Sequence, residues 1–135
     1  MVIPLLLFFS TSFGTVHAPT TTPEVQHVLA ASQATMGEYV RQYFADTPIM
    51  ADIAWCESRD RQWNLDGTTF HGAVNHDDIG IMQINTAYHG TEAKQLGYDL
   101  YSLSGNMEFA KYLYAHEGTQ PWSSSEACWG KLAAR

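Results

Sequence analysis

The two cysteines of this chain, Cys56 and Cys128, constrain its fold more than any other feature, because they are the only ones and lie far apart. An even cysteine count in an exported protein favours a disulfide, whereas two isolated cysteines with no partner pair are a weak zinc signal. A bond between them would tie the middle of the chain to its end. By the chain-entropy estimate, closing so long a loop stabilises the folded state by about 4 kcal/mol. We therefore predict one Cys56–Cys128 disulfide.

The first eighteen residues indicate that the chain is exported. Residues 1–18 contain no charged side chain, carry an apolar run over 2–9 and end in Val-His-Ala, which fits the small-residue cleavage rule. This apolar run is too short to span a bilayer, so a cleaved secretory signal is favoured over a retained anchor, although no Lys or Arg precedes it. We predict a signal peptide over 1–18, a mobile spacer over 19–22, and a secreted, periplasmic or cell-wall location.

The composition limits the number of domains and the classes of partner. The chain has 135 residues, of which 45% are hydrophobic and 16% charged, which is enough apolar material for one packed domain over 23–135. Its formal net charge is −7, with seven Lys and Arg in total. An acidic chain without a basic stripe is unsuited to nucleic acid or to an anionic membrane surface. We expect a monomer with no nucleic-acid partner and no stable membrane insertion after signal cleavage.

The spacing of apolar residues predicts a mostly helical chain. Helical periodicity runs over 22–46, and Thr47-Pro48 ends that helix and begins a short one. Between 58 and 78 the periodicity is lost among turn-forming residues, with a short strand predicted at 68–70. The later predictions are an amphipathic stretch over 80–88, helix-compatible residues over 91–96 ended by Gly97, and a helix over 106–115 closed by Gly118. The predicted fold class is α+β, mostly α, with a small irregular or β-hairpin lobe.

Glu57 lies at the end of the short helix, beside Trp55 and Cys56. A carboxyl group against apolar and aromatic neighbours loses solvation of its charged form, which raises its pKa and lets it hold a proton near neutral pH. Asp78 lies in a polar loop and is expected to stay ionised. Two carboxyl groups in such unlike surroundings are what cleavage of a glycosidic bond requires. A glutamate near a helix end can equally act as a cap or a surface pair, so the residues alone leave both interpretations open.

Two segments in order, Cys56–Ser58 (Cys-Glu-Ser) and Asp78–Asn85 (Asp-Ile-Gly-Ile-Met-Gln-Ile-Asn), resemble the signature of the lysozyme-like superfamily, which includes the lytic transglycosylases. The segments Gly118–Trp122 and Cys128-Trp129 are similar to the closing part of secreted members, where a terminal cysteine pairs back toward the catalytic helix. The resemblance covers 49–129. The chain departs from the family in lacking the usual Asn-Pro after Glu-Ser-x-x, the C-terminal Ala-Tyr-Asn-Ala-Gly element of transglycosylases and the several disulfides of animal lysozymes.

The resemblance implies a lysozyme-like fold and cleavage of the β-1,4 bond between N-acetylmuramic acid and N-acetylglucosamine in peptidoglycan glycan strands, with no cofactor and no metal. Glu57 would be the general acid and then the base. The implied substrate-binding residues are Ser58, which would orient a polar group, Gln83 and Asn85, which would bind the acetamido group or the sugar backbone, and Tyr114, which would hold the muramoyl residue. Helix and turn capping is an equal alternative for Ser58 and Asn85.

Asp78 distinguishes two reactions. If it serves as the second catalytic carboxylate, the protein is a lysozyme-type hydrolase. In a transglycosylase the substrate's own N-acetyl oxygen attacks the anomeric carbon and the muramoyl 6-hydroxyl closes a 1,6-anhydro ring, so Asp78 is free to bond the backbone of its own turn. We favour the transglycosylase. A non-catalytic glycan-binding module on the same fold, and an interaction protein of a secretion apparatus, are the other hypotheses.

The remaining residues of note are histidines, aromatics and aliphatic side chains. The spacing of His71, His76 and Asp77 matches no helical ligand pair, so a solvated loop is favoured over a metal site. Aromatic side chains in loops or at helix ends can stack on sugar rings, with core packing as the alternative for each. The candidates for stacking are Trp63, Tyr88, Tyr98, Tyr101 and Trp122. The residues predicted to belong to the core are Ile79, Ile81, Met82 and Ile84.

Overall fold

The computed structural model describes residues 35–135. The elements are α1 (helical residues 35–43), α2 (Pro48–Ser58), β1 (Asp78–Ile79), β2 (Ile84–Asn85), α3 (Thr86–Leu96), α4 (Leu103–Glu117), a 3₁₀ segment (Gln120–Ser125) and α5 (Glu126–Ala133). This part of the chain is mostly helical with one small antiparallel sheet, which confirms the α+β, mostly α class. The predicted signal peptide, the spacer and the start of the first helix lie outside the described residues. Between 35 and 135, no helix has the length and apolar character needed to cross a membrane.

The helix that carries Glu57 begins and ends where local chemistry requires. Thr47 is its N-cap and Pro48 occupies its first turn, where the missing N–H has no helical partner to lose. This confirms the boundary predicted at Thr47-Pro48. Beyond its last residue, Arg59 turns left-handed with φ 58°, and its N–H still donates to the carbonyl oxygen of Trp55 (N···O 3.0 Å). Glu57 is therefore fixed in the last turn of α2.

Asp60, which follows this turn, is buried without full compensation. Its side chain is 6% exposed, its φ is also 58°, and its Oδ1 has no hydrogen-bond partner. Burial raises the pKa of this carboxyl, and the positive charge of Arg41 offsets part of the rise. A buried polar atom without a partner costs on the order of 1–3 kcal/mol.

We expect Asp60→Asn to stabilise the protein by about 1 kcal/mol at neutral pH, because a neutral amide replaces a buried carboxylate. Because the pKa of Asp60 is raised in the folded state, the wild type is most stable relative to its unfolded chain below the ordinary pKa of aspartate. It loses that stability as the pH rises through the folded-state pKa. The difference between variant and wild type should therefore be largest near neutral pH and shrink on acidification. Thermal unfolding across a pH series measures it, with the exposed Asp46→Asn as control. A difference that does not depend on pH would contradict the assignment.

A short antiparallel hairpin lies at 78–85, with Asp78 opposite Asn85. The strand predicted at 68–70 is wrong, since within 59–77 the structure forms only isolated bridges, at Trp63, Thr69 and His71. The reason is burial: residues 68–70 are exposed or half-exposed, whereas both strands of the hairpin place an isoleucine in the core. The amphipathic stretch predicted over 80–88 is divided between this hairpin and the first turn of α3.

The turn between the two strands, residues 80–83, is held by side chains from other segments. Gly80 has φ 71°, and a Cβ there would lie 2.5 Å from Asn106 Nδ2 and 2.6 Å from Gln62 Oε1, so no side chain fits. The bonds that hold the turn are Ile81 N–H to Gln62 Oε1 (2.8 Å), Met82 N–H to Asn106 Oδ1 (3.0 Å), Ser58 Oγ–H to the Ile81 carbonyl oxygen (2.8 Å) and Trp122 Nε1–H to the Met82 carbonyl oxygen (2.9 Å). Each of these four side chains comes from a different segment of the chain. The turn therefore holds those segments in place relative to one another.

The core is formed by α1, α2, the hairpin and α4, with single residues from α3, the 3₁₀ segment and α5. The four aliphatic residues predicted for it are at most 2% exposed, which confirms the prediction: Ile79, Ile81, Met82 and Ile84. They pack with the buried stripe of α4, which comprises Met107, Phe109, Ala110 and Leu113. The packing places the hairpin against the middle of the molecule, with Asp78 and Asn85 at its open end.

The C-terminal part is tied back to α2. A disulfide joins Cys56 to Cys128 on α5, with Cα atoms 5.9 Å apart, which confirms the predicted bond.

Helix α4 ends at Gly118 as predicted, but it begins at Leu103, three residues earlier than predicted, because Ser102 caps it. Helix α5 and the 3₁₀ segment were not predicted. Helix α5 packs on α2, and the 3₁₀ segment contacts α4, α5 and α2.

Candidate active site

A cavity of about 350 Å³ lies at the last turn of α2. Two carboxyl groups line it from different elements, Glu57 from α2 and Asp78 from β1. Side-chain amides line the same cavity, together with apolar residues and with Tyr88, His89 and Ser124. The amides belong to Asn75, Gln83 and Asn85, and the apolar residues are Ile84, Leu113, Pro121 and Trp122.

The carboxyl of Glu57 has a raised pKa, in the direction expected from the sequence. Burial is the largest cause, the negative charge of Asp78 adds to it, and a hydrogen bond from Ser125 acts in the opposite direction. The neighbour that the sequence indicated does not supply the burial: Trp55 is 45% exposed and carries the guanidinium of Arg59 over its ring, 4.9 Å from the centroid. The apolar wall comes from residues distant in sequence instead.

Ser125 is the neighbour of Glu57 that sequence reasoning missed. Its Oγ–H donates to Glu57 Oε1 (O···O 2.6 Å) and lies 3.2 Å from the carbonyl oxygen of Trp122. That tryptophan is fixed, because it is 2% exposed and its carbonyl also accepts from Trp129 Nε1 (3.0 Å). The serine run at 123–125 after Pro-Trp was the only signal in the sequence, and nothing local linked it to Glu57.

We expect Ser125→Ala to raise the pKa of Glu57 further, because the variant loses a hydrogen bond that favours the charged carboxylate. A titration of the Glu57 carboxyl carbon by NMR measures this shift directly. The matched control is Ser123→Ala, an exposed serine of the same segment, which should leave the titration unchanged. A lower pKa of Glu57 in Ser125→Ala would contradict the role of this bond.

Asp78 is held by an amide rather than by the backbone of its own turn. Asn85 Nδ2 donates to Asp78 Oδ1 (N···O 2.7 Å), and Asn85 Oδ1 accepts the N–H of Tyr88 (3.1 Å), which caps α3. Asn85 therefore combines the capping role with a position in the cavity wall. The carboxyl of Asp78 remains half-buried at the cavity.

The other predicted substrate-binding residues divide into two groups. Gln83 lines the cavity, with φ 49° and its Nε2 donating to the Gly80 carbonyl oxygen (2.9 Å). Ser58 and Tyr114 are not among the lining residues. Ser58 is 2% exposed, and its hydroxyl donates to the Ile81 carbonyl oxygen and so joins α2 to the hairpin turn. Its part in substrate binding stays a prediction. Tyr114 packs against the core from α4.

Of the aromatic candidates, only Tyr88 combines exposure with a place in this cavity, at 83% exposed. Trp122 also lines it but is part of the core, and Trp63 lies elsewhere on the surface.

The Nδ1 of His71 hydrogen-bonds to the carbonyl oxygen of His76 (2.6 Å). Among residues 35–135 there is no group of three or more His, Cys, Asp or Glu arranged to hold a metal ion.

Comparisons of the chain with protein-family models, with curated proteins and with solved structures gave no match.

Proposed function

We propose that this protein cleaves the β-1,4 bond between N-acetylmuramic acid and N-acetylglucosamine in peptidoglycan glycan strands, as a lytic transglycosylase with a lysozyme-like fold. The observation that supports the proposal most is the pair of carboxyl groups that line one cavity. Glu57 is partly buried and has a raised pKa, and Asp78 contributes negative charge beside it. A carboxyl group with a raised pKa, next to a negative charge, suits the protonation of a leaving oxygen while positive charge develops on the sugar.

In this proposal Glu57 donates its proton to the glycosidic oxygen, and the bond from that oxygen to the anomeric carbon breaks. The N-acetyl oxygen of the same sugar bonds to the anomeric carbon in its place. The carboxylate of Glu57 then takes the proton of the muramoyl 6-hydroxyl, whose oxygen displaces the acetamido oxygen and closes the 1,6-anhydro ring. Gln83 and Asn85 line the same cavity and offer amide groups to the acetamido group or the sugar hydroxyls.

Asp78 also supports a second candidate, a lysozyme-type hydrolase, because it lines the cavity together with Glu57. In that reaction Asp78 would attack the anomeric carbon or activate a water molecule. The hydrogen bond from Asn85 engages Asp78 Oδ1, so Oδ2 would be the reacting oxygen in that case. A non-catalytic glycan-binding module would not need a raised pKa at Glu57.

Export to the periplasm or the cell wall is part of the proposal. The apolar leader over 1–18 and the single disulfide support it, since disulfides form and persist in oxidising compartments.

The experiment is incubation of the exported, purified protein with purified sacculi, followed by mass spectrometry of the soluble fragments. Muropeptides with 1,6-anhydro ends are expected. Reducing ends would instead identify a hydrolase. Binding to sacculi without any release of fragments would contradict cleavage and favour the glycan-binding module.

A further inference from the structure

A second cavity, of about 550 Å³, adjoins α3 on another face of the helix. Thr86, Gly90 and Lys94 line it from α3, at the four-residue spacing that places side chains on one side of a helix. The loop 97–101 lines it from the other side. Residues 85, 88 and 89 of the same helical region line the cavity that contains Glu57, so α3 is a wall common to both cavities.

Gly90 leaves space in this second cavity. A Cβ at this position would meet only Thr86 Cβ, at 3.8 Å, which is an ordinary van der Waals contact. A glycine inside a helix is less stabilising than alanine. Neither crowding nor backbone conformation requires glycine at position 90. What Gly90 provides, compared with an alanine, is additional open volume in the cavity.

Lys94 gives the second cavity its charge. Of the seven Lys and Arg residues in the chain, it is the only one that lines either of these two cavities. Three of the others lie over aromatic rings: Arg59 over Trp55, Arg61 over Phe70 and Lys111 over Tyr43. Within residues 35–135, no carboxylate lies within ion-pair distance of Lys94. The chain has a net charge of −7, and the ammonium group of Lys94 gives this cavity a local positive charge that can attract a carboxylate ligand.

The rest of the lining adds two further properties. Tyr98 and Tyr101 supply aromatic surface, and Tyr101 is 55% exposed. Asp99 supplies an exposed carboxylate whose Oδ1 accepts the Tyr101 N–H (3.0 Å), so it is held in place beside the cavity. A cation, an anion and aromatic faces together suit a short peptide that carries both carboxylate and amino groups.

We propose that this cavity binds the stem peptide of the same peptidoglycan strand whose glycan lies in the first cavity, a proposal that rests on the proposed function. The stem peptide is attached to the muramoyl residue and carries carboxylates, which Lys94 would bind, and an amino group, which Asp99 would bind. A helix with its side chains is about 10–12 Å wide, and an extended peptide covers about 3.3–3.6 Å per residue. Three to four residues therefore cross α3 from one cavity to the other.

The kinetic test compares glycan strands that keep their stem peptides with strands stripped of them by an amidase. We expect Lys94→Gln to raise the KM for peptide-bearing strands about fivefold with little change in kcat, so that the preference for these strands is reduced. Lys94→Arg should restore most of the preference. Lys131→Gln, which removes the same charge from the exposed part of α5, is the matched control and should leave the preference intact. An equal preference in wild type and Lys94→Gln overturns the proposal.

A binding test separates this proposal from the proposed function. A synthetic tetrapeptide of stem composition is titrated into ¹⁵N-labelled protein, and the amide resonances of Gly90 and Gly97 are followed. They should shift on titration, and the shift should weaken in Lys94→Gln. Shifts in a protein that releases no muropeptides would refute cleavage and support peptide binding. Release of muropeptides without any shift would refute the peptide site alone.

Discussion

Glu57→Gln is expected to reduce the release of muropeptides from sacculi by about a hundredfold or more and to leave the protein folded. A positioned general acid contributes about 10²–10⁴-fold to such a reaction, and an amide cannot donate a proton to the leaving oxygen. Glutamine keeps the size of the side chain, and its Oε1 can still accept the hydrogen bond from Ser125 Oγ. The substitution therefore removes the proton and retains the geometry.

The control for this variant is Glu126→Gln, an exposed glutamate next to Ser125 that does not line the cavity. Rates of release are compared with thermal unfolding curves of the same preparations. Full activity of Glu57→Gln would refute its role as the acid. A fall in activity that accompanies a matching loss of folded protein would refute it as well, because the substitution would then act through the fold.

Asp78→Asn completes this experiment, since it separates the two candidate reactions. An asparagine Oδ1 can accept the bond from Asn85 that Asp78 accepts now. If Asp78 acts only through its charge, the loss of activity is modest, and the pKa of Glu57 falls because a charge that raises it has been removed. The alkaline limb of the pH profile then moves to lower pH. A loss as large as that of Glu57→Gln identifies the hydrolase.

The sequence named both carboxyl groups of the cavity, Glu57 and Asp78, but a shared local segment explains only the grouping of the hairpin residues. The hairpin 78–85 brings Asp78, Gln83 and Asn85 to one place because eight consecutive residues with buried isoleucines fold as one unit. The boundary at Thr47-Pro48 and the glycine end at Gly118 were likewise readable, since capping depends on neighbouring residues.

Ser58 and Ser125 show where such reasoning fails. Ser58 was compatible with capping or with the site, and its Oγ does accept the Arg61 N–H (2.9 Å), whereas Ser125 carried no prediction. A hydroxyl can bond whatever lies near it in the folded chain. Ser58 bonds to Ile81, 23 residues away, and Ser125 bonds to Glu57, 68 residues away. These partners are set by the packing of α2 on the hairpin and on α5, and no local pattern records that packing.

Replacing both cysteines, as Cys56→Ala with Cys128→Ala, is expected to lower the free energy of unfolding by about 4 kcal/mol. The bond closes a loop of 72 residues, and the loss of loop-closure entropy in the unfolded chain scales with the logarithm of that number. The effect is large because domains of this size are stable by only about 5–15 kcal/mol. Chemical denaturation of the wild type with and without reductant, beside the double variant, measures it. The double variant should not respond to reductant, and an equal response of both proteins would refute the assignment.

The disulfide should also affect the candidate acid, because Cys56 precedes Glu57 and α5 begins directly after Ser125. The bond therefore joins the two segments between which Ser125 Oγ–H donates to Glu57 Oε1. When the bond is absent, α5 is free to separate from α2, and the hydrogen bond that lowers the pKa of Glu57 is populated less. The Glu57 carboxyl of the folded double variant should titrate at a higher pH than in the wild type, in the same direction as in Ser125→Ala. An unchanged titration would show that the 3₁₀ segment is held in place by Trp122 and its bond to Met82 without help from the disulfide.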